Sequence, residues 1–166
     1  MMKLSTDGPR VVVGVDGSDC SREALRFAAV EARLRGLPLH VVTAYHQQVV
    51  GTAVVDVFDP HDELVTMQRQ LLDESAAELA GLEVHADVVL GHPVDCLRQA
   101  GSDATLLVVG SRGHGGFTRM LLGSTSHALV QHATCPVAVV HRAPVATGIP
   151  EPRRQAGSEV VDTPLL

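Results

Sequence analysis

The residues whose types and spacing could do chemistry are concentrated between Gly110 and Ser126 (GSRGHGGFTRMLLGSTS). Gly110, Gly113, Gly115 and Gly116 place four glycines within seven residues. Such a run lets the backbone turn tightly and come close to a ligand. Its bare amides, including those of Ser111, Arg112 and His114, can form an anion-binding nest. Gly123, Ser124 and Thr125 then open a helix whose first amides have no intrahelical acceptor, at the end where the helix dipole favours negative charge. Arg112 and Arg119 add positive charge, and the Ser and Thr hydroxyls add donors. Together these parts make a phosphate cradle. Residue chemistry alone also admits a plainer account, in which the stretch is only a connecting loop and Ser124 only a helix cap.

Other signatures are missing. The chain has no G-x-x-x-x-G-K-[ST] loop, no G-x-G-x-x-G after its first strand, no G-x-S-x-G elbow and no H-E-x-x-H pair. No spacing assembles a nucleophile with its base, so ATP hydrolysis, where it occurs, is expected to be slow and incidental. Nine histidines are scattered, and His127 and His132, five apart, fall on different helix faces. They read as surface residues rather than a metal site.

The elements that must position the loop follow from periodicity. Short apolar runs at Arg10–Asp16, Leu39–Tyr45, Val84–Leu90, Thr105–Gly110 and Pro136–Val140 read as buried strands. Helical spacing covers Asp19–Arg35, with Ser18 as N-cap and Gly36 at the left-handed stop. It also covers His61–Ala80 as one amphipathic helix stopped by Gly81, then Val94–Ala100 and Ser124–His132. The segment His46–Pro60 has no clear period and is expected to be a loop. Strands alternating with helices call for an α/β fold, an open, doubly wound, five-stranded parallel sheet with helices on both faces. If the strand order is 3-2-1-4-5, the ligand crevice lies between the first and fourth strands and brings Asp16 beside Gly110. Asp16 could equally serve to cap the helix that begins at Ser18.

Composition narrows the class. With 166 residues the length is that of one domain, and with only 2% aromatics the core must be built from Val, Leu and Ala. A net charge of −6 leaves no broad footprint for nucleic acid or an anionic membrane. Three well-separated cysteines, Cys20, Cys96 and Cys135, argue against a disulfide frame and for a reducing, cytoplasmic setting. Each thiol reads as a small buried hydrophobe. The expected organisation is a flexible N-terminus over 1–8, a folded domain over 9–142 and a flexible tail over 143–166, which is rich in Pro and Gly without a sustained period.

The spacing Gly110-x2-Gly113-x9-Gly123-Ser124 resembles the G-x2-G-x9-G-[ST] ATP-binding motif of the universal stress protein family. The resemblance extends through VVVGVDGS (11–18), HVVTAY (40–45), VLGHPVD (89–95), LLVVGSRGHGG (106–116) and CPVAVV (135–140), all in the family's order. It implies an adenine-nucleotide-binding domain with strand order 3-2-1-4-5. It further implies that Asp16, with Gly14 and Val15 beside it, lies against the nucleotide; by its own carboxylate chemistry Asp16 could also hold a nucleotide-bound Mg²⁺, directly or through water. Ala44 would meet adenine through its backbone. Gly110, Gly113, Gly123, Ser124 and Thr125 would surround ribose and phosphates, with Arg119 approaching the phosphates. A homodimer joined through the last strand, Val137–Val140, is implied as well. The functional expectation is a nucleotide-dependent regulatory protein of the stress response. The alternatives are a weak ATPase or nucleotidyl-transfer enzyme, or a sensor of AMP or cyclic AMP.

Overall fold

A computed structural model describes residues 8–46, 60–113 and 122–142. The expectations for the 46–60 loop, the extreme N-terminus and the 143–166 tail lie almost wholly outside these residues.

The elements run β1 (Val11–Gly14), α1 (Asp19–Arg35), β2 (Leu39–Tyr45), α2 (His61–Glu74), α3 (Ala76–Leu79), β3 (Val84–Leu90), α4 (Pro93–Ala100), β4 (Leu106–Gly110), α5 (Ser124–His132) and β5 (Val137–Val140). All strand pairs are parallel and the order is β3-β2-β1-β4-β5. The expected architecture is therefore the observed one.

The alternation of side chains along each strand divides the interior in two. On one face Val11, Val13, Leu39, Val41 and Val108 pack beneath α1 and α2, against Ala24, Leu25, Ala28, Ala32 and Leu71. On the other, Val12, Val42, Leu107 and Val109 meet Leu97 and Ala100 of α4 and Leu129 of α5. Strands buried on both faces need near-continuous apolar sequence, which is why β1 and β4 read VVVG and LLVVG. Alanines along the buried stripe of α1 leave little bulk between helix and sheet.

Helix α1 begins and ends where its sequence predicts. The Ser18 hydroxyl accepts the Ser21 amide at 3.3 Å, and Gly36 closes the helix at φ 63°. The expected single helix over His61–Ala80 is instead two, α2 and α3, separated at Ser75. The Ser75 amide is shared between the carbonyls of Leu71 and Leu72 at 3.1 and 3.2 Å, which tightens the turn. Arg33 of α1 donates to the Glu78 and Ala80 carbonyls at 2.6 and 3.2 Å, fastening the far side of the break. The apolar stripe runs on through the break, so periodicity could not reveal it.

A histidine lies deep in the sheet. His40 on β2 is 1% exposed, and its Nε2 sits 2.7 Å from Asp87 Oδ2 on β3. Its Nδ1 is buried without a hydrogen-bond partner. That pattern suits the neutral ring, with Nε2–H donating to Asp87; a charged ring would leave a second buried N–H unmatched. Burial lowers the His40 pKa, against the opposing pull of Asp87. Burial also raises the pKa of the Cys96 and Cys135 thiols, which favours their protonated form.

Candidate functional site

In a doubly wound sheet the crevice opens beyond the strand ends where the crossovers diverge. Here β1 pairs with β2 on one side and β4 on the other, so that point lies between β1 and β4. A cleft of about 960 Å³ occupies it, within the range of small-molecule and cofactor sites, about 300–1,000 Å³.

The sequence-predicted residues converge there from four segments. Gly14, Val15 and Asp16 come from the end of β1 and Ala44 from β2. Gly110, Arg112 and Gly113 leave β4, and Gly123, Ser124 and Thr125 enter α5. His114, Gly115, Gly116 and Arg119 lie outside the described residues. The two ends of the loop are stitched together. The Gly123 amide donates to the Ser111 carbonyl at 2.7 Å, and the Ser126 hydroxyl donates to the same carbonyl at 3.2 Å.

Three helices reach the cleft by their N-termini, and these differ: α4 starts at Pro93 without a side-chain cap but carries Asp95 in its first turn. Helix α1 is closed by the Ser18 side chain and carries Asp19 in its first turn. Helix α5 starts at Gly123, has no side-chain cap and no acid in its first turn. Among the described residues, the cap and first turn of α5 thus supply no acid to offset the positive end of its dipole, and Ser124 and Thr125 lie at the cleft wall.

Close approach explains two of the glycines. A Cβ at Gly110 would lie 2.8 Å from the Cys20 backbone, and one at Gly113 would lie 2.4 Å from Asp16 Oδ2. Asp16 thus meets the loop directly. Its Oδ1 also accepts the Ser18 amide at 3.0 Å, an Asx-turn ahead of α1, while the helix cap itself is the Ser18 hydroxyl. The Ser18 hydroxyl reaches the Arg112 carbonyl at 3.4 Å, tying the start of α1 to the loop.

Ser111 departs from expectation. It is 0% exposed and does not line the cleft. Its amide donates to Val140 at 2.7 Å, its carbonyl holds Gly123 and Ser126, and its hydroxyl faces the Cys20 sulfur at 3.8 Å. It fastens the frame of the loop instead of presenting a donor to a ligand.

Sequence reasoning missed the apolar side of the cleft, made by Val42, Pro93, Leu97 and Val109. These are unremarkable strand and helix residues whose shared location only the fold shows. It also missed Asp19 and Arg142, which lie at the cleft and pair at 2.7 Å.

Comparison with known proteins follows the same lines. The profile of the universal stress protein family matches residues 9–141. The universal stress protein Rv2623 of Mycobacterium tuberculosis is 35% identical over 159 residues, covering 84% of this chain and 53% of that protein. The chain thus spans about half the length of the curated relatives it matches. A universal stress protein solved in complex with cAMP superposes with a TM-score of 0.63 at 30% identity, covering 82% of this chain and 98% of its own. The universal stress protein from Archaeoglobus fulgidus in complex with dAMP gives 0.58 at 27%, covering 79% and 96%. By its sequence over most of its length, and by its fold, this chain belongs to the universal stress protein family.

Proposed function

We propose that this chain binds ATP in the β1–β4 cleft and acts as a nucleotide-dependent regulatory protein of the stress response in the cytoplasm. The observation that carries the reading is the uncapped, acid-free N-terminus of α5, stitched to the end of β4 across a cleft of cofactor size. The cAMP and dAMP complexes of related proteins support an adenine nucleotide.

The residues divide by chemistry. Val42, Pro93 and Leu97 offer the base an apolar wall, with the backbone of Ala44 at its edge. Gly110, Gly113, Gly123, Ser124 and Thr125 offer amides and hydroxyls to ribose and phosphates, and Arg112 offers a guanidinium. His114, Gly115, Gly116 and Arg119 belong to the same loop and are assigned to the phosphate end. Asp16 supplies a carboxylate at the cleft, a hard oxygen ligand that suits a nucleotide-bound Mg²⁺. Such an ion would neutralise part of the polyphosphate charge. Occupancy of the cleft changes the surface at the carboxyl ends of the strands, and that is what a partner would read.

Replacing Ser124 by Asp tests the site. An acid in the first turn is compatible with the helix, but it sets a negative charge where the phosphates would bind. The expected result is an unchanged or slightly raised Tm together with at least a tenfold (~1.4 kcal/mol) weaker ATP affinity by titration calorimetry. Equal ATP affinity in the two proteins would remove the assignment.

The partner we assign is a second copy joined at β5. The strand lies at the sheet edge and all four of its residues are apolar and half-buried. The Phe27, Val30 and Leu34 side chains on α1 are exposed apolar surface. Open apolar strand edges are features that folded proteins cover.

A further inference from the structure

The cleft carries a charge pair that the loop chemistry does not use. Val140 pairs with Gly110 across β5 and β4, so Arg142, two residues further on, is carried to the level of Arg112. Among the described residues, Arg112 and Arg142 are the guanidiniums lining the cleft, and Asp16 and Asp19 the carboxylates. Arg142 Nη1 lies 2.7 Å from Asp19 Oδ2. Asp19 is the first residue of α1, and that helix end is already served by the Ser18 hydroxyl. The pair bridges the last strand and the first helix beside the phosphate end of the cleft.

Both side chains are more than half exposed, 56% for Arg142 and 61% for Asp19. Exposed ion pairs are weak, because water screens them and two long side chains must be held still. A guanidinium on a phosphate makes two charge-assisted hydrogen bonds and is the stronger partnership. A polyphosphate entering the cleft can therefore take Arg142 away from Asp19 at small cost.

We infer that Arg142 is a second phosphate-binding arginine, parked on Asp19 when the cleft lacks a polyphosphate and transferred to the phosphate chain when one binds. The inference rests on the nucleotide reading above and deepens it. It gives residue 142 a role in selecting ligands by phosphate charge: a nucleoside without phosphates offers Arg142 nothing to exchange for Asp19.

Titration calorimetry with ATP and with adenosine, at fixed low salt and without divalent cation, tests this in wild type, Arg142→Gln, Arg142→Lys and Asp19→Asn. Arg142→Gln should weaken ATP about tenfold, as loss of a charge-assisted contact does, and leave adenosine unchanged. Arg142→Lys should recover part of that loss. Asp19→Asn, which frees the arginine and removes a negative charge, should tighten ATP and leave adenosine unchanged. A purely structural ion pair would instead lower the Tm of Arg142→Gln and Asp19→Asn alike and move both ligands together. That result, or unchanged ATP affinity in Arg142→Gln, would overturn the role of Arg142 while leaving the nucleotide site intact. A wild type that binds neither ATP nor adenosine would overturn the site and this inference with it.

Discussion

A methyl group added at Gly110 would meet the Cys20 backbone at 2.8 Å, where neither segment can yield. Gly110→Ala is therefore expected to destabilise the fold by about 1–3 kcal/mol, the usual cost of overpacking, read as a lower Tm. At Gly123 the nearest atoms stand at 3.5 Å or more and the backbone is extended, at φ −69°. Gly123→Ala should cost no more than about 1 kcal/mol. Gly113 lies between the two, because its clash is with the Asp16 side chain, which can turn away. Gly113→Ala should fold and lose nucleotide affinity. The glycine spacing showed in the sequence that the backbone comes close to something; what it comes close to did not. Ser111 makes the same point. A serine beside a loop glycine can face a ligand or the frame, and here the long-range partners Val140 and Gly123 decide for the frame.

Among the elements, the edge strand β3 is held to β2 partly through His40 and Asp87. Burial lowers the folded-state pKa of His40 below its ordinary value of 6.5, while Asp87 opposes the shift and Arg10 and His85 reinforce it. The unfolded chain thus binds the proton more readily than the folded one. The His40 contribution to stability is complete above pH 6.5 and is lost as pH falls through the lowered folded value. Tm should drop between pH 7.5 and 5, and His40→Gln, which keeps a donor for Asp87 but does not titrate, should flatten that drop. The N-cap of α1 gives a second handle: Ser18→Ala removes the acceptor of the Ser21 amide and should cost about 1 kcal/mol in thermal unfolding. Helix limits marked by caps were legible, as the ends of α1 show. The division of α2 from α3 was not, because the apolar stripe runs on through Ser75 and no Gly or Pro marks the break.

For the molecule as a whole, strand alternation called for the parallel sheet and the family resemblance supplied the strand order; that order was expected to set Asp16 beside Gly110, whereas a Cβ at Gly113 would meet Asp16 and one at Gly110 would meet Cys20. The apolar wall of the cleft was invisible in the sequence because Val42, Pro93 and Leu97 come together only when β2 and α4 are stacked. The dimer reading can be tested at the sheet edge. Pro136 and Val140 turn their carbonyls toward β4, so by alternation Val139 turns its backbone to the open side. Val139→Pro removes an outward amide. It should shift the protein toward monomer in sedimentation velocity while the far-ultraviolet circular dichroism stays as in wild type.

The double fastening onto the Ser111 carbonyl works as a clasp. The Ser111 carbonyl and the Gly123 amide thus fix the two ends of the intervening span to each other. Lengthening such a closed span is inexpensive, about 0.6 kcal/mol for each doubling. A short insertion between Gly113 and Leu122 should accordingly leave the melting temperature little altered as long as Gly123 and Ser126 keep their hold.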